Sequence, residues 1–199
     1  QTYPNERTRM NKIEKILGFG AIFLMILRLI IDYPYSALLI TLSIFILSLI
    51  YLFFSFKLLN SNKKDSTEKT SSLRQTGIIL TGITLSLVLI GILFKFLQWP
   101  YGSFNLMVGL LCLIPIIVIS IFKFTKSNSE FYKNLLFRIL IIGVIGTLLL
   151  FTKNETLLEL KYRDFPNYVE AEKKLMQDPT NKELEIIANK EREKMHQSK

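Results

Sequence analysis

Four polar residues stand where an apolar run gives way to a proline turn, and their types could do chemistry there. Arg28 precedes Asp32-Tyr33-Pro34-Tyr35, and Lys95 precedes Gln98-Trp99-Pro100-Tyr101. Two cations, a carboxylate and an amide among aromatic rings (Tyr33, Trp99, Tyr101) could form a site at one surface of the protein. They could equally anchor two tight turns. Amphipathic rings suit a lipid headgroup layer, and a cation in the last turn of a helix opposes the helix dipole. The anchor is the simpler reading and the site the sharper one.

Little else in the chain offers chemistry. Cys112 lies within an apolar run without a basic neighbour to activate it, which predicts a small buried apolar residue. His196 falls in a terminal segment expected to fray. Gly18-Phe-Gly20 lacks the remainder of a phosphate motif and reads as a helix-packing feature. A single cysteine leaves no internal disulfide, and a single histidine leaves no His-rich metal site. No carboxylate or histidine falls inside the apolar runs, where a proton relay would need one. We therefore expect no catalytic residues, no metal and no cofactor: the chain does not read as an enzyme.

The elements that position these residues are membrane spans. In a chain of 199 residues, the segments 16–27, 37–56, 77–94, 103–122 and 139–152 contain no charged residue and no histidine. Crossing the hydrocarbon takes about 20 apolar residues as a helix. Barrel strands would show alternation over ~10 residues instead of continuous apolar runs. The fold class is thus all-α: a polytopic membrane protein with five transmembrane helices. Arg28 and Arg138 are expected to reach the headgroups along their aliphatic stems. The first run resembles a secretory leader in its basic flank. No small-residue cleavage site follows it, so it is read as a retained helix.

Charge placement predicts the threading. Residues 1–15, 57–74 and 123–138 contribute +2, +3 and +3 of the net +9, while the connections 32–36 and 98–103 hold only Asp32. Basic flanks remain cytoplasmic. The expected order is a cytoplasmic segment 1–15, transmembrane hairpin 1 at 16–57, a cytoplasmic loop 58–75 and transmembrane hairpin 2 at 76–123. A cytoplasmic loop 124–134, transmembrane helix 5 at 135–153 and an extracytoplasmic helical tail 154–199 complete it. The protein is expected in a bacterial inner (plasma) membrane, multi-pass, with its N-terminus cytoplasmic and its C-terminus periplasmic. Positive charge scattered beside spans faces anionic lipid; it is not the basic stripe that nucleic acid requires.

A shift of 66 residues lays the first hairpin on the second, with Tyr33-Pro34-Tyr35 on Trp99-Pro100-Tyr101 and Phe56-Lys57 on Phe122-Lys123. This reads as a duplicated two-helix hairpin in parallel orientation. The same step reaches Asp164-Phe165-Pro166, but the fifth apolar run stops near Thr152, too early for a third copy. Gly77/Thr81, Gly82/Ser86 and Gly143/Thr147 are expected to let helices approach, and Pro115 to kink its span. In the tail, Pro166 begins a helix that Asp164 could cap and Asp178-Pro179 ends. Thr180 and Glu183 then read as a capping box for a second helix reaching about Met195. Tyr168, Ala171 and Leu175 share one face, as do Leu184, Ile187, Ala188 and Met195. Such an extramembrane hairpin is too small to be stable without something to lean on.

The stretch Gly91-Ile-Leu-Phe-Lys95-Phe-Leu-Gln-Trp99-Pro100-Tyr-Gly102 resembles the first transmembrane hairpin of the GldL family, over residues 78–112. That family comprises inner-membrane motor subunits of the type IX secretion and gliding machinery. The resemblance implies an oligomeric, proton-driven motor in which the lysine at position 95 pairs with an intramembrane glutamate on the following helix. Residues 103–122 contain no acid, so the resemblance carries over as membrane-complex context. We expect a non-enzymatic scaffold or accessory subunit of a cell-envelope assembly; the alternative is a small transporter or channel-like protein. Its partners would be the lipid bilayer and a membrane protein or a second copy of itself, with no nucleic acid.

Overall fold

The computed structural model describes residues 6–31, 35–61, 72–127 and 130–197, all of whose regular elements are α-helices. Five long helices come first: α1 (Glu6–Ile30), α2 (Ser36–Ser61), α3 (Ser72–Leu97), α4 (Gly102–Ser127) and α5 (Glu130–Phe151). Three shorter ones follow: α6 (Asn154–Lys161), α7 (Pro166–Gln177) and α8 (Lys182–Gln197). Two compact units result, one of residues 1–25 and 34–151, the other of residues 26–33 and 152–199.

In the first unit α3 is the central helix, packed against α2, α4 and α5. Its buried residues Leu85, Val88, Leu89, Ile92, Leu93 and Phe96 follow the three-and-four spacing of one helix face. The neighbours bury narrower stripes: Ile40, Ile44, Leu47 and Tyr51 on α2; Leu106, Leu113 and Ile116 on α4; Ile139 and Ile142 on α5. Their other faces expose residues such as Leu111, Val118, Phe122 and Leu148. A water-soluble helix would place charge there; these helices place hydrocarbon, as helices in lipid do. Four of them are long and apolar enough to cross a membrane: Ser36–Phe53, Gly77–Leu97, Gly102–Lys126 and Tyr132–Phe151. The protein is a helical, multi-pass membrane protein. α1 is not among the four, because Glu14, Lys15 and Arg28 bracket a charge-free stretch of only residues 16–27.

The tightest helix approaches are at glycines outside the expected pairs, while of those pairs a Cβ on Gly143 would meet Leu113 of α4 at 3.5 Å and Ser86 is buried. A Cβ on Gly91 would lie 2.7 Å from the Leu106 Cα, and one on Gly109 3.1 Å from the Val88 Cα. α3 and α4 therefore meet backbone to backbone at two points about one helical turn apart. Gly146 on α5 faces Leu110, Leu106 and Val88 side chains at 3.2–3.4 Å. Gly18, Gly20 and Gly77 have nothing within 4 Å of a Cβ, so they are not packing positions here. A glycine spacing shows where helices could approach, but a neighbour must also be there. Between α2 and α3 the contact is polar at one point: the hydroxyls of Ser48 and Ser86 are 2.5 Å apart and buried. α4 continues through Pro115. Cys112, expected to be buried, lies on the exposed face of α4, where an apolar environment would come from lipid and not from the bundle.

α2 and α4 are both 26 residues long, and their bounds differ by the 66-residue shift at each end. Each is preceded by a tyrosine in the left-handed region, Tyr35 and Tyr101, both with φ 59°. Each tyrosine carbonyl accepts the first helical hydrogen bond, from Leu39 N at 3.0 Å and Asn105 N at 2.9 Å. Ser36 and Gly102, the residues that follow, are both buried.

The second unit contains three helices after the last span, one more than the sequence suggested. α6 was missed because its eight residues are too few for a clear pattern; it buries Leu157 and Leu158. Leu158, Tyr168, Val169 and Met195 form the core, with Tyr162, Phe165 and Met176 against it. Tyr162 and Tyr168 meet edge to face, with centroids 5.0 Å apart. Arg192 on α8 donates to both oxygens of Glu172 on α7 at 3.1 Å, and Lys173 pairs with Glu159 across α7 and α6. Two capping expectations are corrected. Asp164 makes no cap for α7, whose N-cap is Phe165. The α8 cap is Asn181, whose Oδ1 accepts from Glu183 N at 3.0 Å and Leu184 N at 3.4 Å, while Thr180 donates to Asp178. Asparagine is among the best N-caps, so it supplants the threonine one residue earlier. Ile187, expected on the inner face, is exposed, and Ala188 and Met195 take the core side.

Candidate functional site

The turn after α3 explains why Lys95, Gln98, Trp99 and Tyr101 stand where they do. Trp99 N donates to Phe94 O at 2.8 Å and Gln98 N to Lys95 O at 3.2 Å. These are the two reversed bonds of a Schellman motif, which needs a left-handed residue just past the helix end. Gln98 fills that position at φ 60°. The hydrophobic contact that accompanies the motif is present too, the Phe94 and Trp99 rings lying edge to face at 5.0 Å. Pro100 cannot continue a helix, and Gly102 N then bonds Trp99 O at 3.1 Å. A side chain at Gly102 is excluded because its Cβ would sit 2.7 Å from Lys95 N and from the Phe94 carbonyl carbon.

This turn folds α4 back so that Ser103 faces Lys95. Lys95 is only 5 % exposed, and its Nζ donates to Ser103 Oγ at 2.9 Å. Trp99 and Tyr101 point outward. The buried Lys95 ammonium takes a hydroxyl partner from the helix that follows.

Residues 80–138 match the GldL N-terminal domain. The GldL-like stretch covers α3 from Leu80, all of α4 and α5 as far as Arg138, so it contains the Lys95 turn and both backbone contacts. No curated protein and no solved structure matches the chain. Among the described residues no acid lies on α4 of the GldL-like stretch. The group presented to Lys95 from that helix is a serine hydroxyl.

Arg28, Asp32 and Tyr33 belong to the end of α1 and the residues just after it. Arg28 occupies the last turn of α1 and is half-buried, while Asp32 and Tyr33 lie outside the described residues. Arg28 belongs to the second compact unit and Lys95 to the first. Within the second unit, Arg163 donates to Ile30 O at 2.8 Å, satisfying a carbonyl at the end of α1. Lys161 is buried there, and its Nζ lies 5.8 Å from the Tyr162 ring centroid. Burial, and then the charge of Arg28, push the Lys161 ammonium down to about 7. A lysine whose folded pKa is depressed destabilises the fold fully below that value. The penalty is relieved as pH rises toward the ordinary lysine range. The C-terminal unit should therefore resist proteolysis better as pH is raised from about 7 to about 10, and Lys161→Met should remove that dependence.

Sequence reasoning missed a second polar constellation, in the first unit. Arg138 turns to a carboxylate on another helix. Its Nε and Nη2 meet the two carboxylate oxygens of Glu14 at 2.6 and 2.7 Å, and Tyr51 donates its hydroxyl to Glu14 Oε1 at 2.7 Å. Three helices contribute, and the sequence separation of 124 residues between Glu14 and Arg138 hides the pairing from any local pattern. The one available signal was a carboxylate and a guanidinium each bordering an apolar run.

Proposed function

We propose that this chain is a non-enzymatic, five-span inner-membrane protein that serves as a scaffold or accessory subunit of an envelope assembly of the gliding and secretion kind. The observation that carries this reading is the match of residues 80–138 to the GldL N-terminal domain, on helices whose outward faces are hydrocarbon. The chain keeps the buried lysine and the aromatic-proline turn and pairs the lysine with Ser103. The following helix offers this lysine a hydroxyl where the family resemblance implies a glutamate. Arg28, Asp32, Tyr33, Gln98, Trp99 and Tyr101 act in this reading as anchors at the outer headgroup layer.

The fifth crossing is α1. The Glu14, Tyr51 and Arg138 positions lie toward the N-terminal part of α1, the C-terminal part of α2 and the N-terminal part of α5. Their meeting aligns α1 with α5 and against α2, as alternate crossings require. The matched bounds of α2 and α4 and their shared tyrosine geometry support a duplicated hairpin, α1–α2 and α3–α4.

Cysteine accessibility in intact cells tests the threading, using single cysteines in a Cys112→Ala background. Positions 66 and 129, which lie outside the described residues, should be protected from an impermeant maleimide. Positions 101 and 197 should react. Position 101 serves better than 102, where no side chain fits. Reaction at 66, or protection at 197, overturns the five-span arrangement. Cross-linking in native membranes followed by mass spectrometry should recover a membrane-protein partner or a second copy; a strictly monomeric chain with no partner overturns the scaffold reading.

A further inference from the structure

Among the described residues, the part of α1 that belongs to the first unit packs least closely of that unit's helices. Only Ala21 and Met25 are buried among its large or small apolar residues, whereas Ile16, Phe19 and Phe23 are all more than half exposed. α3, by comparison, meets α4 at backbone distance. What α1 does have is the Glu14 carboxylate, both of whose oxygens are taken up by Arg138 and one of them also by Tyr51. The pair is largely withdrawn from solvent, with side-chain exposures of 14 % for Glu14 and 20 % for Arg138.

We propose that Glu14, Arg138 and Tyr51 form a charge latch that retains the part of α1 before Ile26 on the bundle, making that part the releasable segment of this unit. The physical reason is an asymmetry. In lipid, apolar faces gain nothing by choosing protein over acyl chains. A carboxylate and a guanidinium, however, strongly favour one another over hydrocarbon, and a bidentate pair also fixes orientation. Three hydrogen bonds converge on this one carboxylate, two from α5 and one from α2, so it ties α1 to both helices. Arg138 is also the last residue of the GldL-like stretch. The latch thus ties the helix farthest outside that stretch to its C-terminal edge. Opening it would free that part of α1 without disturbing the α3–α4 contact.

The test uses the full chain in lipid nanodiscs, with a nitroxide at Leu17, a half-buried position one turn beyond Glu14. Its accessibility to dissolved oxygen is compared with that of a label at the exposed Phe19. With Glu14 and Arg138 intact, position 17 should be less accessible than position 19. Glu14→Gln and Arg138→Gln should raise position 17 to the level of position 19, Arg138→Lys should fall between, and the exchange Glu14→Arg with Arg138→Glu should restore the protection. A label at Ile90 on α3 should not change in any of these variants. Unchanged protection in Glu14→Gln, failure of the charge exchange to restore it, or loosening at Ile90 equal to that at Leu17 would each overturn the latch.

Discussion

Gly91→Ala should destabilise the membrane bundle, whereas Gly77→Ala on the same helix should leave it unchanged or slightly more stable. The new methyl at position 91 would stand 2.7 Å from the Leu106 Cα and 2.9 Å from its N. Neither is the end of a flexible side chain, so the helices themselves must separate. Separation also weakens the next contact, where Gly109 meets the Val88 backbone at 3.1 Å. Overpacking of this kind costs about 1–3 kcal/mol in well-packed cores. In lipid no hydrophobic drive returns the helices to contact once their surfaces no longer fit. At Gly77 a methyl meets nothing within 4 Å, and alanine gains up to ~1 kcal/mol of helix propensity over glycine. Thermal unfolding of the two purified variants in one detergent should show shifts of opposite sign, or a large loss against no change. Equal shifts would mean that α3 and α4 are not held at this crossing.

Leu158→Ala should unfold the C-terminal unit and spare the membrane helices. Leu158 is 1 % exposed and sits among Tyr168, Val169 and Met195. Truncating a buried leucine costs about 2–5 kcal/mol through lost transfer energy and the cavity left behind. A unit this small has little more stability than that to lose. Limited proteolysis should cut residues 152–199 rapidly in the variant and leave the fragment carrying α2–α5 intact. Ile186→Ala removes an exposed side chain and should change the cleavage rate little, since surface truncations stay within about 0.5 kcal/mol. If both variants were cleaved alike, Leu158 would not be the core of that unit.

The two predictions differ in how far they were legible. The tail core was partly so: Tyr168, Ala171, Ala188 and Met195 are spaced for inner faces and are buried. α6 escaped because eight residues carry little periodicity, and Ile187 misled because the partner surface, not the helix pattern alone, selects the inner face. Gly91 was not legible. Its spacing is no more suggestive than that of Gly77, and only the arrival of Leu106 at its surface distinguishes the two.

The polar residues divide in the same way. The Lys95 turn could be read because its parts are local: a cation in the last helical turn, an aromatic, a proline and a glycine within eight residues. The backbone there dictates the rest. Glu14 and Arg138 could not be paired from sequence, because the contact that matters joins the first helix to the fifth.

By itself the sequence determined the membrane environment of this protein, its helical class, the proline turn that ends α3 and the resemblance of its second hairpin. Those follow from hydrophobic run length and from turn chemistry, which act over a few residues. Tertiary structure decided which glycines bring backbones together, which hydroxyl faces Lys95 and which carboxylate neutralises Arg138. Helices that are apolar on every side carry no mark of their inner face. In such a chain only packing, with the few buried charges that must find one another, selects the arrangement.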